Sequence, residues 1–220
     1  LTTAFYSRDI RRSQLHKLIR SYFGVGQILT YSSGRGSITA LLTAAGVGPK
    51  SSVLLSSFTC LAVPTAVLAT GSKPIYADIN MSSLNVDFSA IKNAIQEDTK
   101  VIVVQHTMGR PVDDIKKICE FAKKMNILVI EDCALSLGTL SKGLPLGQTG
   151  DAAIFSLELS KTLSAGWGGI LLNNNKKLES ALNKEYKNIT EEYGFTVLRK
   201  FLQIITTGFL YQKNVYFFGK

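Results

Sequence analysis

Lys161 lies in the segment Ser156-Leu-Glu-Leu-Ser-Lys-Thr-Leu-Ser-Ala-Gly-Trp-Gly-Gly169, after the apolar run 152–155 and just before a glycine-rich turn. A lysine there stands at the mouth of a sheet and not on a solvated helix face. Upstream, the apolar run 127–130 ends in Glu131-Asp132. A lysine amine condenses with a carbonyl to form an imine, and a carboxylate can hold a protonated ring nitrogen. Those two functions together are what pyridoxal phosphate chemistry needs from a protein. Taken singly, Lys161 reads more simply as a surface lysine and Asp132 as a strand-end acid. The pair carries the reading.

A third feature suits an anion. Ser32-Ser-Gly-Arg-Gly-Ser37 follows a strand-like stretch at 28–31 and opens a helical pattern over 38–45. Backbone N–H groups at a helix start suit a phosphate, and Arg35 adds a charged donor. The turn lacks the Walker lysine spacing, and Gly46-Val-Gly48 lacks the third dinucleotide glycine.

Regularly alternating elements must position these groups. Strand character at 53–55 and 74–78 brackets a helical pattern over 61–69 closed by Gly71. Asp87 is placed to cap a helix over 88–97, ahead of a strand at 101–104. An amphipathic helix over 113–124 leads to a strand at 127–130, and strands at 152–155 and 169–172 complete the series. This alternation predicts an α/β fold with three α/β/α layers, a mainly parallel sheet covered on both faces. Ligands of such sheets bind beyond the carboxyl ends of the strands, where His106, Asp132 and Ser156 fall.

After Asn175 the character changes. Residues 176–186 are polar and helical, Tyr193-Gly194 reads as a break, and 201–210 reads as an amphipathic helix. That last stretch, interrupted by Gln203, Thr206, Thr207 and Gly208, is too short and polar to span a bilayer. The expected division is a cofactor-binding large domain over 1–175 and a helical extension over 176–220 leading toward a small domain mostly outside this chain. The opening at Leu1 reads as a fragment or a processed chain.

At 45% hydrophobic residues the chain is globular in composition. The net charge of +9 is concentrated at the two ends, leaving the middle near neutral. Lys116, Lys117, Lys123 and Lys124 fall on the solvated side of a helix whose other side carries Ile115, Ile118 and Ala122. With no coherent basic face or known motif, no nucleic-acid partner is expected. Cys60, Cys119 and Cys133 show neither CxxC pairing nor His/Cys metal spacing, so reduced thiols, no metal site and a cytoplasmic location are expected. The N-terminal segment is basic and has no apolar signal core.

Several motifs follow one another between Tyr31 and Asn175. They are Ser33-Gly34-Arg35, Gly46-Val-Gly-Pro49, Ser57-Phe-Thr59, Lys73-Pro74 with Ala77-Asp78-Ile79, and His106-x-x-Gly109-x-Pro111-x-Asp113. Glu131-Asp132, Gly150-Asp151 and Ser156-x4-Lys161 complete them. In these motifs the chain resembles the DegT/DnrJ/StrS group of pyridoxal phosphate-dependent nucleotide-sugar aminotransferases. The resemblance implies the large domain of the fold-type-I transferases. It assigns Lys161 the covalent link to the cofactor and the later proton transfer, and Asp132 the pyridinium nitrogen. Ser156 with Gly34 and Arg35 would hold the phosphate, and Thr59 would position the ring. His106 matches a family histidine and reads as a satisfied core residue.

The resemblance further implies a nucleotide-linked keto-sugar acceptor, an amino-acid donor expected to be glutamate, and a homodimer whose second subunit reaches the cofactor phosphate. Three positions depart from the pattern. Arg35 stands where many relatives have threonine, Cys60 where many have a stacking aromatic residue, and Leu135 where Gln or His is common. Leu135, Cys60 and the expected absence of most of the small domain motivate an alternative, a catalytically silent relative acting as a binding or regulatory module. Lys161, Asp132 and Ser156 together oppose it. Sugar dehydratases of this fold replace the lysine by histidine, so Lys161 also counts against that reaction.

Overall fold

The computed structural model describes residues 2–24, 26–189 and 195–210. Its strands are β1 (Gln27–Tyr31), β2 (Ser52–Ser56), β3 (Lys73–Ala77), β4 (Thr99–Gln105), β5 (Leu128–Asp132), β6 (Leu140–Ser141), β7 (Leu144–Pro145), β8 (Ala152–Ser156) and β9 (Gly169–Asn173). β6 and β7 form a small hairpin, and the other seven form one sheet in the order β3-β2-β4-β5-β8-β9-β1. From β3 through β8 all neighbours pair in parallel, while β9 runs antiparallel to both β8 and β1. The expected mainly parallel α/β sheet is therefore present.

Strand periodicity divides the core between two faces, because successive side chains point to opposite sides. On one face Val53, Leu55, Val101, Val103, Ile130 and Ile154 pack with Leu41 of α2 (Gly34–Ala44) and Ala66 of α3 (Ala62–Leu68). On the other, Leu54, Ile102, Val104 and Val129 meet Ile91 of α4 (Phe88–Ala94) and Ile118 of α5 (Ile115–Lys124). The central strands are buried on both sides, which explains their unbroken apolar sequence. Asp87 caps α4 as expected, its carboxylate accepting from Ala90 N–H at 2.9 Å.

Three differences from the expected elements have physical causes. α2 begins at Gly34 and not at residue 38, because Ser33 is its N-cap and accepts from Gly36 N–H at 3.1 Å. The helix at the chain start, α1 (Thr2–Phe23), was not expected; Ile19 and Phe23 anchor it against Ile28 and Phe155. The sheet unit also does not end at residue 175 but runs to Tyr186. Leu178 and Leu182, the latter in α6 (Glu179–Lys187), are buried in the first core cluster, and Tyr186 donates its hydroxyl to Thr30 O at 3.1 Å. Within the second unit, α7 (Phe195–Leu210) covers the amphipathic stretch expected at 201–210. The expected break at Tyr193-Gly194 lies outside the described residues. No helix among the described residues is long and apolar enough to cross a membrane.

Candidate functional site

Residue parity decides which strand-end side chains meet. Asp132 is in phase with Ile130, Ser156 with Ile154, and Gln105 with Val103, so all three project on the α2–α3 side of the carboxyl rim. Two adjoining cavities open there and share Cys60, Asp132, Ala134 and Lys161 as lining residues.

The first cavity, of about 360 Å³, has Gly34, Arg35 and Ser156 among its lining residues. Ser33 caps the helix and leaves the positive end of α2 directed at the cavity. A Cβ on Gly34 would lie 3.4 Å from Ser156 Cβ, so the absent side chain lets the helix start rest against the serine. Glu158 lines the same cavity and is bonded by Ser160 Oγ at 3.3 Å.

Asp132 is buried at the junction, 5% exposed, with one carboxylate oxygen accepting from Ala134 N–H at 3.0 Å. Burial raises its pKa; the Ala134 bond, the Lys161 ammonium and His106 oppose the shift without cancelling it. Lys161 enters from the turn after β8, its N–H bonded to Glu158 O at 3.0 Å. Thr59, on the side of the second cavity, donates to Gln105 Oε1 at 2.7 Å. Gln105 Nε2 in turn bonds Phe58 O and Thr107 Oγ1 at 3.2 and 3.1 Å. The structure thus gathers Gly34, Arg35, Thr59, Asp132, Ser156 and Lys161 around two connected cavities.

Glu131 does different work because it points the other way. Its four acceptor positions are filled by Thr149 and Gly150 N–H at 2.7 Å each, Gly147 N–H at 3.2 Å and His106 Nε2 at 2.9 Å. Val112 N–H donates to His106 Nδ1 at 3.1 Å, which leaves Nε2 as the protonated nitrogen facing Glu131. His106 is therefore the satisfied core residue its sequence context suggested. His106, Glu131 and Cys133 approach within 4.8 Å of one another, yet both ring nitrogens and both carboxylate oxygens are already engaged.

Burial alone would raise the Glu131 carboxyl, but its bonds from His106, Gly150 and Thr149 outweigh burial and lower it. A depressed folded pKa contributes stability above the unfolded value, about 4.3, and that stability is lost as pH falls through the folded value. Glu131→Gln is expected to destabilise the fold by roughly 3–5 kcal/mol, because an amide cannot accept from all four donors. Urea unfolding from pH 7 down to pH 3 checks this. The variant should lose less stability on acidification than the parent, and parallel pH profiles would sink the assignment.

The model of the DegT/DnrJ/EryC1/StrS aminotransferase family matches residues 4–200. The chain belongs to this family. It is 38% identical to protein MosB of Rhizobium meliloti over 160 residues, 73% of this chain and 31% of MosB. It is 35% identical to the GDP-perosamine synthase of Escherichia coli O157:H7 over 149 residues, 68% of this chain and 41% of that enzyme. The crystal structure of DesI in the presence of its TDP-sugar product superposes with a TM-score of 0.72 at 26% identity, covering 78% of this chain and 43% of DesI. The chain thus spans less than half the length of these relatives, and its fold is that of the large domain of the fold-type-I transferases.

The residues present fit the cofactor of that fold on their own chemistry. A buried carboxyl with one oxygen held can meet a cationic ring nitrogen, and a helix start beside a serine is suited to a phosphate. Lys161 lines both cavities beside Asp132. Sequence reasoning missed three supporting groups: Ser33 as the cap, Gln105 as the partner of Thr59, and Thr162, which donates to Leu135 O at 3.1 Å. Of these, Ser33, a favoured cap type just before the helical pattern, and Gln105, in phase with Val101 and Val103 at a strand end, carried a sequence signal.

Proposed function

We infer that the protein is a pyridoxal phosphate-dependent aminotransferase that transfers an amino group, with glutamate as donor, onto a nucleotide-linked keto-sugar. The observation carrying this reading is the convergence of Lys161, buried Asp132, Ser156 and the start of α2 on one cavity. Two relatives support the acceptor class, since GDP-perosamine and a TDP-sugar are both nucleotide-linked. The proposal includes a homodimer, a cytoplasmic location, and a small domain following the sheet-bearing part of the chain.

When bound, pyridoxal phosphate supplies an aldehyde for covalent linkage and a ring that takes up negative charge. Ser156 Oγ and the N-terminal amides of α2 would hold its phosphate, with Arg35 adding positive charge. The Asp132 carboxylate would keep the ring nitrogen protonated. Thr59, steadied by Gln105, would set the tilt of the ring. Lys161 Nζ would hold the cofactor's aldehyde and, as a free amine, would be the base beside the reacting carbon. In that role it would take the α-proton of the donor and return a proton to the acceptor carbon.

The test uses the full-length protein loaded with pyridoxal phosphate, nucleotide-linked keto-sugars and glutamate. Amino sugar and 2-oxoglutarate should form in equal amounts. A protein that binds the cofactor yet transfers no amino group from any amino acid to any such sugar would be a catalytically silent relative.

A further inference from the structure

The helix α7 leaves a long apolar face uncovered. At about 100° per residue, Phe201, Ile205, Leu198, Phe209, Leu202 and Phe195 fall side by side within roughly 120° of its circumference. They are 51% to 79% exposed, a contiguous patch of the kind that marks an interaction surface. Arg199, Gln203, Thr207 and Lys200 share the opposite arc, with Arg199 and Lys200 at its two edges. Thr206, at the boundary, donates its hydroxyl to Leu202 O and Gln203 O at 2.9 and 3.0 Å, so it needs no water there. Among the described residues only Leu210, at the helix end, breaks the division.

The charge on this segment has one sign. From Phe195 to Lys220 the sequence holds Arg199, Lys200, Lys213 and Lys220 and no Asp or Glu. A second copy of α7 would bring only like charge to the edges of a shared face, where paired helices place complementary charges. An anionic bilayer matches both features. Its acyl chains take the apolar arc, and its headgroups take the cations, whose long stems reach out from the edges of the polar arc. At 16 residues and about 1.5 Å per residue, α7 is too short to cross the hydrocarbon core and suits an orientation flat in the surface.

We propose that α7 is a lipid-surface anchor, lying on an anionic bilayer with Leu198, Leu202, Ile205 and Phe209 in the acyl boundary and Arg199 and Lys200 among the headgroups. The inference goes beyond the aminotransferase reading and does not depend on it. Apolar burial supplies the attachment, and each cation near the anionic surface strengthens it by about fivefold.

Flotation of the full-length protein with lipid vesicles tests it. The parent should bind vesicles of mixed phosphatidylcholine and phosphatidylglycerol about 10- to 30-fold more tightly than vesicles of phosphatidylcholine alone, and added salt should narrow that ratio. Arg199→Gln with Lys200→Gln should bring the ratio toward one. Leu202→Glu with Phe209→Glu should abolish binding to both, while Gln203→Ala on the polar arc should leave it unchanged. Glutamate is a good helix former, so the acidic variant keeps the helix, and circular dichroism checks that it does. Parent protein that leaves the mixed vesicles unbound, binds both kinds equally, or is unaffected by the acidic pair overturns the proposal. Slow hydrogen exchange across 198–209 in lipid-free, non-binding parent would assign the face to a protein neighbour instead.

Discussion

Replacing Lys161 by alanine is expected to abolish covalent capture of pyridoxal phosphate and to reduce donor α-proton exchange by about 10⁴-fold or more. The magnitude follows because one side chain supplies both the nucleophile and the proton carrier. In the parent, borohydride should bleach the visible absorbance and leave the cofactor on a peptide containing Lys161. In the alanine variant the reagent should leave no label. Cofactor should still bind the variant reversibly, because Ser156, the start of α2 and Asp132 are untouched. A small primary amine added to the variant should recover part of the proton exchange, which a collapsed fold would not permit. If the parent is labelled at a different lysine, the assignment of Lys161 is wrong. If full-length parent takes up no cofactor, a catalytically silent protein replaces the enzyme.

Much of this site was legible in the sequence because strand-end residues inherit their direction from the apolar residues before them. Asp132 follows Leu-Val-Ile and Ser156 follows Ala-Ala-Ile-Phe, so their emergence at a sheet rim could be read from the runs alone. Which of the adjacent acids serves the cavity is a question of parity. Ile130 packs against the α2–α3 layer and Val129 against the α4–α5 layer, so Asp132 faces the cavity and Glu131 the opposite side.

Other features depended on partners remote in sequence. Thr59 and Gln105 are separated by 46 positions, and nothing local indicates their bond. The start of α2 was obscured because glycine disfavours helix, yet the Ser33 cap makes Gly34-Arg35-Gly36 its first turn. The sheet unit extends past residue 175 for a related reason. Residues 176–186 look polar, but the few apolar ones, Leu178 and Leu182, are fully engaged in the core.

Asp132→Asn should separate what the charge contributes from what the shape contributes. The amide oxygen can still accept from Ala134 N–H, so local geometry is retained. Without cofactor, the carboxyl has a folded pKa raised by burial above its unfolded value. The sign follows from linkage: such a group favours the fold at low pH, and that advantage is lost as pH rises through the folded value. At neutral pH burial of this ionisable group is thus a burden on the empty protein, and Asp132→Asn should raise its Tm. Cofactor reverses the balance, because a protonated ring nitrogen gives the carboxylate an opposite charge in a dry site. The parent should therefore gain Tm on loading, and the variant should gain much less. Proton removal from the donor should fall by roughly 10²- to 10³-fold, the scale of losing one electrostatic stabiliser from an enclosed site. Labelling of Lys161 should persist, since that chemistry needs only the amine and the aldehyde. A variant that gains as much Tm as the parent on loading, with proton exchange intact, would remove Asp132 from the role of ring-nitrogen partner.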